Sequence, residues 1–139
     1  MTNIPQIAEQ IAMIGPRIGR KILSDIFQTV DIPHTQLFVI IMLFHNGACR
    51  TSDISKELKV TAPTATGVVD RLEHAGYVTR SVDKEDRRAV VVELTPEGRK
   101  LAQKLSTVVV KRWTEILSKI SREDAEKYLE ILKKINEAL

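Results

Sequence analysis

The chain has 139 residues, 43% of them apolar, which is enough for one domain with a real core and argues against disorder. Only 4% are aromatic, so packing must come from aliphatic stripes, and the single cysteine, Cys49, excludes an intrachain disulfide and fits a reducing compartment. A formal charge of +3, from 21 basic and 18 acidic residues, does not by itself point to nucleic acid, so the placement of the charge matters more than its sum.

The chain opens without a basic region followed by an apolar core, so no signal peptide is expected. Ile4, Ile7, Ile11, Ile14 and Ile18 recur at alternating steps of three and four, a heptad-like helical stripe that Ile22 and Ile26 continue. Gly15-Pro16 predicts a kink or break midway. The stripe is long for the core of a short domain and predicts packing against a partner subunit. Pro33 predicts the start of a second helix running to about His45 and ended by Asn46-Gly47. Apolar on most sides, it reads as a central, buried helix. Its apolar run, residues 37–44, is far below the ~20 residues of a membrane helix. A soluble cytoplasmic protein with no membrane partner is therefore expected.

Thr51 reads as the N-cap of a short third helix, with Asp53 in its first turn and Ile54 and Leu58 on its buried face. Lys59-Val60 is a tight connection. Thr61 caps a fourth helix that carries Pro63 in its first turn. Ala65, Val68, Val69 and Leu72 form its inward stripe, and Gly76 stops it. Residues 77–82 and 88–94 read as two strands joined by a charged tip over 83–87. In the second strand Val90, Val92 and Leu94 share one side. Thr95-Pro96-Glu97 is a strong helix start. Leu101, Leu105, Val108, Arg112, Ile116 and Ile120 run down the long helix that follows. Ser121, with Asp124 three residues on, starts a last helix whose stripe includes Tyr128, Leu132, Ile135 and Leu139.

Two short helices joined by a tight turn over residues 51–75 form a helix-turn-helix pattern, whose second helix enters the major groove of DNA. With its apolar stripe inward, that helix turns Ala62, Pro63, Thr64, Thr66, Gly67, Asp70 and Arg71 outward. Small side chains permit close approach, and threonines offer hydroxyls to phosphates or bases and methyls to thymine. No Arg, Asn or Gln in its N-terminal half can make a bidentate base contact, so DNA shape is expected to share the readout. The hairpin supplies charge through Arg80, Lys84, Arg87 and Arg88, set against Asp83, Glu85 and Asp86. An aspartate two positions from an arginine can hold its guanidinium in one geometry, and an oriented arginine on a ribbon tip suits a narrow A·T-rich minor groove.

The stretch Arg80-Ser-Val-Asp83-Lys-Glu-Asp86-Arg87-Arg88, with the later Val92-Glu-Leu94-Thr95-Pro-Glu-Gly98-Arg-Lys-Leu101, resembles the wing of the MarR family. Asp70-Arg71-Leu72-Glu73-His-Ala-Gly76-Tyr77-Val78 resembles the end of that family's recognition helix. The resemblance is tight over residues 51–101 and covers nearly the whole chain in element order. It implies a mostly α fold with a small β-wing: a winged helix-turn-helix with N- and C-terminal dimerisation helices. It implies a single domain over 1–139, with a DNA-binding lobe at 33–94 and dimerisation helices at 4–30 and 95–139. It further implies a homodimeric transcriptional regulator, usually a repressor, on a pseudo-palindromic operator in double-stranded DNA, released in many members by a small aromatic or phenolic effector. By the same resemblance Arg88 is the minor-groove wing arginine and Asp86 its orienting acid, while Thr64, Thr66 and Arg71 lie at recognition-helix positions. The chain departs from the pattern at Pro63 and Gly67, where polar or basic residues are more usual. The candidate DNA-contacting residues are therefore Thr51, Ala62, Pro63, Thr64, Thr66, Gly67, Arg71, Lys84, Asp86, Arg87 and Arg88.

Other readings carry less. There is no Gly-rich phosphate loop, metal-ligand cluster or nucleophile–base set, so neither an enzyme nor a cofactor is expected. His34, His45 and His74 lack ligand spacing. Cys49 reads as a partly buried thiol rather than a redox switch, and Trp113 as packing rather than pocket lining. A winged helix used only for protein–protein contact remains an alternative, because fold does not fix function.

Overall fold

A computed structural model describes all residues from Met1 to Leu139. The elements follow in the order α1 (Ile4–Thr29), α2 (His34–Asn46), β1 (Cys49–Arg50), α3 (Thr51–Leu58), α4 (Ala62–His74), β2 (Val78–Val82), β3 (Val90–Leu94), α5 (Pro96–Leu117) and α6 (Arg122–Ala138). The fold is mostly helical with one small antiparallel sheet, the winged-helix class that the sequence predicts. The chain divides into two compact units, residues 30–106 and residues 1–29 with 107–139, the division falling inside α5.

In the first unit, Val39, Ile40 and Leu43 of α2, Ile54 of α3 and Ala65, Val68, Val69 and Leu72 of α4 bury one aliphatic core. Val78, Val92 and Ala102 complete it from β2, β3 and α5. Burial of each larger side chain contributes on the order of 1.5–3 kcal/mol. The inward stripe expected for α4 is buried at all four positions. Helix α2 is less uniformly covered than its composition predicts: Leu37, Val39, Ile40 and Leu43 are buried, but Phe38 is 49% exposed. Pro33 is its N-cap rather than its first residue.

The sheet runs β1-β3-β2, both pairs antiparallel. Val78 pairs with Leu94 and Val82 with Val90, so the hairpin is shorter than expected and its tip longer. Strand β1, with Cys49 opposite Val92 and Arg50 opposite Val91, was not anticipated. It displaces Thr51 from its expected capping role: Arg50 is the N-cap of α3, its N–H donates to Asp53 Oδ2 at 3.2 Å, and Thr51 is the first helical residue. A two-residue strand has too little periodicity to be read from sequence. The turn between α3 and α4 is made by Lys59 in the left-handed region, at φ 54°.

In the second unit, α1 is one helix of 26 residues that runs through Pro16, so of the kink or break expected at Gly15-Pro16 the break does not occur. Pro16 removes one helical N–H, but Ala12, whose carbonyl loses that partner, is exposed, so water can take the bond. Helix α5 stops at Leu117, leaving Ile120 beyond it and 46% exposed. Ser121 caps α6 by accepting from the Asp124 N–H at 3.1 Å, as the sequence predicts. No residue of α6 is buried. Half-buried Trp113 of α5 packs on Tyr128 of α6, with ring centroids 5.9 Å apart. No single helix is long and apolar enough to cross a membrane.

Candidate nucleic-acid interface

Helix α4 is pinned at its start. Thr61 Oγ1 accepts from the Thr64 N–H at 3.3 Å and lies 2.8 Å from the Thr64 hydroxyl. Thr64 is therefore partly engaged by its own cap, whereas Thr66 has no such partner. Ala62, Pro63, Thr64, Thr66, Asp70 and Arg71 are exposed and Gly67 half-exposed, as the outward face requires. A Cβ at Gly67 would meet nothing within 4 Å, so this glycine keeps the helix slim without being demanded by packing.

The hairpin tip is braced by its own aspartates. Asp83 Oδ1 accepts from the Glu85 N–H at 2.9 Å, and Asp86 Oδ1 accepts from the Arg88 N–H at 3.0 Å. The Ala89 N–H donates to the Asp86 carbonyl at 2.9 Å, and the Asp83 N–H to the Ala89 carbonyl at 3.0 Å. Asp86 thus holds the backbone at Arg88 and makes no ion pair with the Arg88 guanidinium. Short Asx turns satisfy a nearby N–H more readily than they reach around to a long side chain.

Two ion-pair clusters tie the wing to the helices. Arg50 donates from Nε to Asp83 Oδ2 at 2.7 Å, joining the start of α3 to the tip. Arg80 of β2 reaches Asp70 and Glu73 of α4, the latter at 2.9 Å. These contacts leave their mark on the acids. The Arg80 side-chain bond holds Glu73 below the usual carboxylate range. The Glu85 N–H, with Arg50 after it, lowers Asp83. Arg50 and Arg80 thus spend their charge within the protein. Lys84, Arg87 and Arg88 are exposed at the tip and make no ion pair.

A cleft of about 280 Å³ lies between α4 and the wing, lined by Arg50, Thr51, Ser52, Ala62, Thr66, Arg80, Arg88, Ala89 and Val90. Of the sequence candidates it brings together Thr51, Ala62, Thr66 and Arg88. Pro63, Thr64, Gly67 and Arg71 stand on α4 outside this lining. Lys84 and Arg87 border a shallow hollow at the tip with Val82 and Asp83. The lining positions Arg50, Ser52, Ala89 and Val90 were not foreseen, and Arg80 was foreseen only as wing charge. The seven-residue separation of Glu73 and Arg80 gives no sequence signal for their pairing.

The MarR family pattern matches residues 32–90. The HTH-type transcriptional regulator PapX of Escherichia coli is 32% identical over 124 residues, covering 86% of this chain and 76% of PapX. The chain belongs to the MarR family of HTH-type transcriptional regulators. The uncharacterized HTH-type transcriptional regulator YfiV of Bacillus subtilis is 35% identical over 106 residues, which span 74% of this chain and 66% of YfiV. The structure of NadR in complex with 4-hydroxyphenylacetate superposes with a TM-score of 0.73 at 25% identity, covering 97% of this chain and 95% of NadR. Within the MarR family frame, α3 and α4 are the helix-turn-helix and the β2–β3 hairpin is the wing. These relatives are regulators, not enzymes, and the chain holds no group of three or more His, Cys, Asp or Glu able to bind a metal ion. Cys49 is half-buried in β1, and burial, with the charge of Asp53 after it, pushes its thiol up, away from the reactive thiolate.

Proposed function

We propose that this MarR-family regulator acts as a homodimeric repressor on a pseudo-palindromic operator in double-stranded DNA, in the cytoplasm. The observation that carries the reading is the shared cleft: Thr66 of α4 and Arg88 of the wing line one concavity. Thr66, with Ala62 beside it, faces the major groove, and Thr64, Pro63, Gly67 and Arg71 approach the flanking backbone or base edges. Arg88 enters the adjacent minor groove, its backbone held by Asp86, while Lys84, Arg87 and the N-terminus of α3 at Thr51 contact phosphates. Arg88 suits this task because no carboxylate competes for its guanidinium.

Dimerisation through residues 4–30 and 95–139, with residues 33–94 as the DNA-binding lobe, is supported by apolar side chains left open in one protomer. Ile4 is 76% exposed, Ile11 63%, Ile14 58%, and Leu129, Ile131 and Ile135 each just over half. Large apolar side chains exposed in such number on terminal helices support an interaction site there. A small aromatic or phenolic effector is the remaining part of the proposal, supported by the 4-hydroxyphenylacetate bound by the structural neighbour NadR.

Selection of bound duplexes from a random pool tests the reading, and an inverted repeat is expected. On the selected site Arg88→Ala is expected to weaken binding about 10- to 100-fold, the range for one arginine groove contact, with the melting temperature unchanged because Arg88 is exposed. Wild-type affinity in that variant would remove the wing from the interface. Binding that does not weaken as salt rises would favour a protein–protein role instead.

A further inference from the structure

The terminal-helix unit carries a basic trough that the DNA reading does not use. Along α1, Arg17, Arg20, Lys21, Ser24, Asp25 and Gln28 lie at helical spacing on one face. Along α5, Val108, Lys111, Arg112 and Glu115 do the same. These two stripes line two adjoining clefts, of about 340 Å³ and 440 Å³, which share Asp25 and Arg112.

Charge within the trough is unevenly spent. Arg112 takes both acids: its Nε is 3.1 Å from Asp25 Oδ2, and its Nη1 is 3.3 Å from Glu115 Oε2. The Nε–H is buried and its direction misses a hydrogen bond, so its contact with Asp25 is Coulombic only. Arg17, Arg20, Lys21 and Lys111 are exposed and make no ion pair. Three uncompensated cations, Arg17, Arg20 and Lys21, therefore line one cleft beside the Ser24 hydroxyl, and a fourth, Lys111, lines the adjoining cleft beside the Gln28 amide. Like charges at this spacing repel, so the arrangement costs stability unless an anion occupies it. The excess is too large for a single carboxylate to neutralise.

We propose that this trough binds a small multi-anionic molecule, with a chain of phosphates as the chemistry recognised. Such a ligand bridges Arg17, Arg20 and Lys21 of one cleft to Lys111 of the adjoining one, across the Asp25–Arg112 pair that the two clefts share. The site lies within the terminal-helix unit and is separate from the α4–wing cleft.

Calorimetric titration of the intact protein with inorganic tripolyphosphate and with ATP tests this. One site per chain is expected for both, since the phosphate chain is the shared element; binding of ATP alone would mean nucleoside recognition and overturn the proposal. Arg20→Gln with Lys21→Gln is expected to weaken binding about tenfold or more, and Lys111→Gln several-fold, by removing charge-assisted contacts. Because all three side chains are exposed and unpaired, the melting temperatures should stay within about 2 °C of wild type. Arg88→Ala is the control for polyanions that merely imitate DNA and should leave tripolyphosphate binding unchanged. Loss of binding in Arg88→Ala but not in the trough variants would overturn the proposal. So would equal competition by sulfate at matched ionic strength, or by benzoate. Loss of duplex affinity in the Arg20, Lys21 double variant would assign the trough to the DNA backbone and overturn it as well, whereas failure of DNA binding by the wild-type protein would leave the tripolyphosphate result standing.

Discussion

Gly98→Ala is expected to destabilise the protein although it replaces a glycine inside a helix. In an open helix this change gains about 1 kcal/mol. Gly98 sits in the first turn of α5, is buried, and its N–H donates to Thr95 Oγ1 at 3.1 Å. A Cβ there would lie 2.0 Å from the Tyr77 carbonyl oxygen, 3.0 Å from its carbon and 3.1 Å from Leu94 Cδ2. An ordinary C···O contact is about 3.3 Å or more, so the backbone must open by more than 1 Å. That opening strains the bond from the Thr95 N–H to the Tyr77 carbonyl, 3.0 Å long. It also disturbs the bond from the Thr95 hydroxyl to the Gly76 carbonyl at 2.6 Å. Loss of one such bond costs about 1 kcal/mol, and overpacking about 1–3 kcal/mol. Set against the helix gain, the net expectation is a loss of about 2 kcal/mol. For a chain of this length that is a fall in melting temperature of roughly 6 °C. Calorimetry or circular dichroism at fixed protein concentration reads it. Gly67→Ala in α4, where a Cβ meets nothing within 4 Å, is the matched control and should be neutral or slightly stabilising. A Gly98→Ala protein melting at or above the wild-type temperature would refute the steric reasoning.

Replacing Ile11 and Ile14 together by glutamate should shift sedimentation from dimer to monomer while the helical signal of residues 30–106 survives, since both side chains are exposed in the single chain; a persisting dimer would place the interface elsewhere. The wing tether should resist acid. Asp83 has a folded pKa below its unfolded one, so its contribution is complete above the unfolded value and is lost only as pH falls through the lower folded value. A carboxyl NMR titration of Asp83 should therefore have its midpoint below the ordinary aspartate range, and a midpoint within or above that range would contradict the Glu85 and Arg50 contacts. Cys49, with its thiol pushed up by burial and by Asp53, should react with iodoacetamide at pH 8 more slowly than free cysteine; a faster reaction would revive a redox role.

Much of the fold was legible before any coordinates. The inward stripe of α4, the Thr61 and Ser121 caps and the Thr95-Pro96 start of α5 are local signals, because a cap or a helical repeat is decided within a few residues of itself. The same holds for the outward face carrying Thr66 and for the charged tip carrying Arg88. Local rules misled at Thr51, where strand β1 moved the cap to Arg50, and at Pro16 they did not decide that the exposed helix continues unbroken.

Tertiary structure alone decided which charges are free. Composition and spacing alone do not say which of Arg50, Arg80, Arg87 and Arg88 finds a carboxylate. Folding commits Arg80 to Asp70 and Glu73, and Arg50 to Asp83, leaving Arg88 open beside Thr66. It likewise decided that Gly98 faces the Tyr77 carbonyl and that Arg17, Arg20 and Lys21 line a cleft adjoining that of Lys111. The physical reason is range. Helix periodicity and capping act over one or two turns of chain, whereas an ion pair or a steric contact depends on which distant backbones the core brings within a few ångströms.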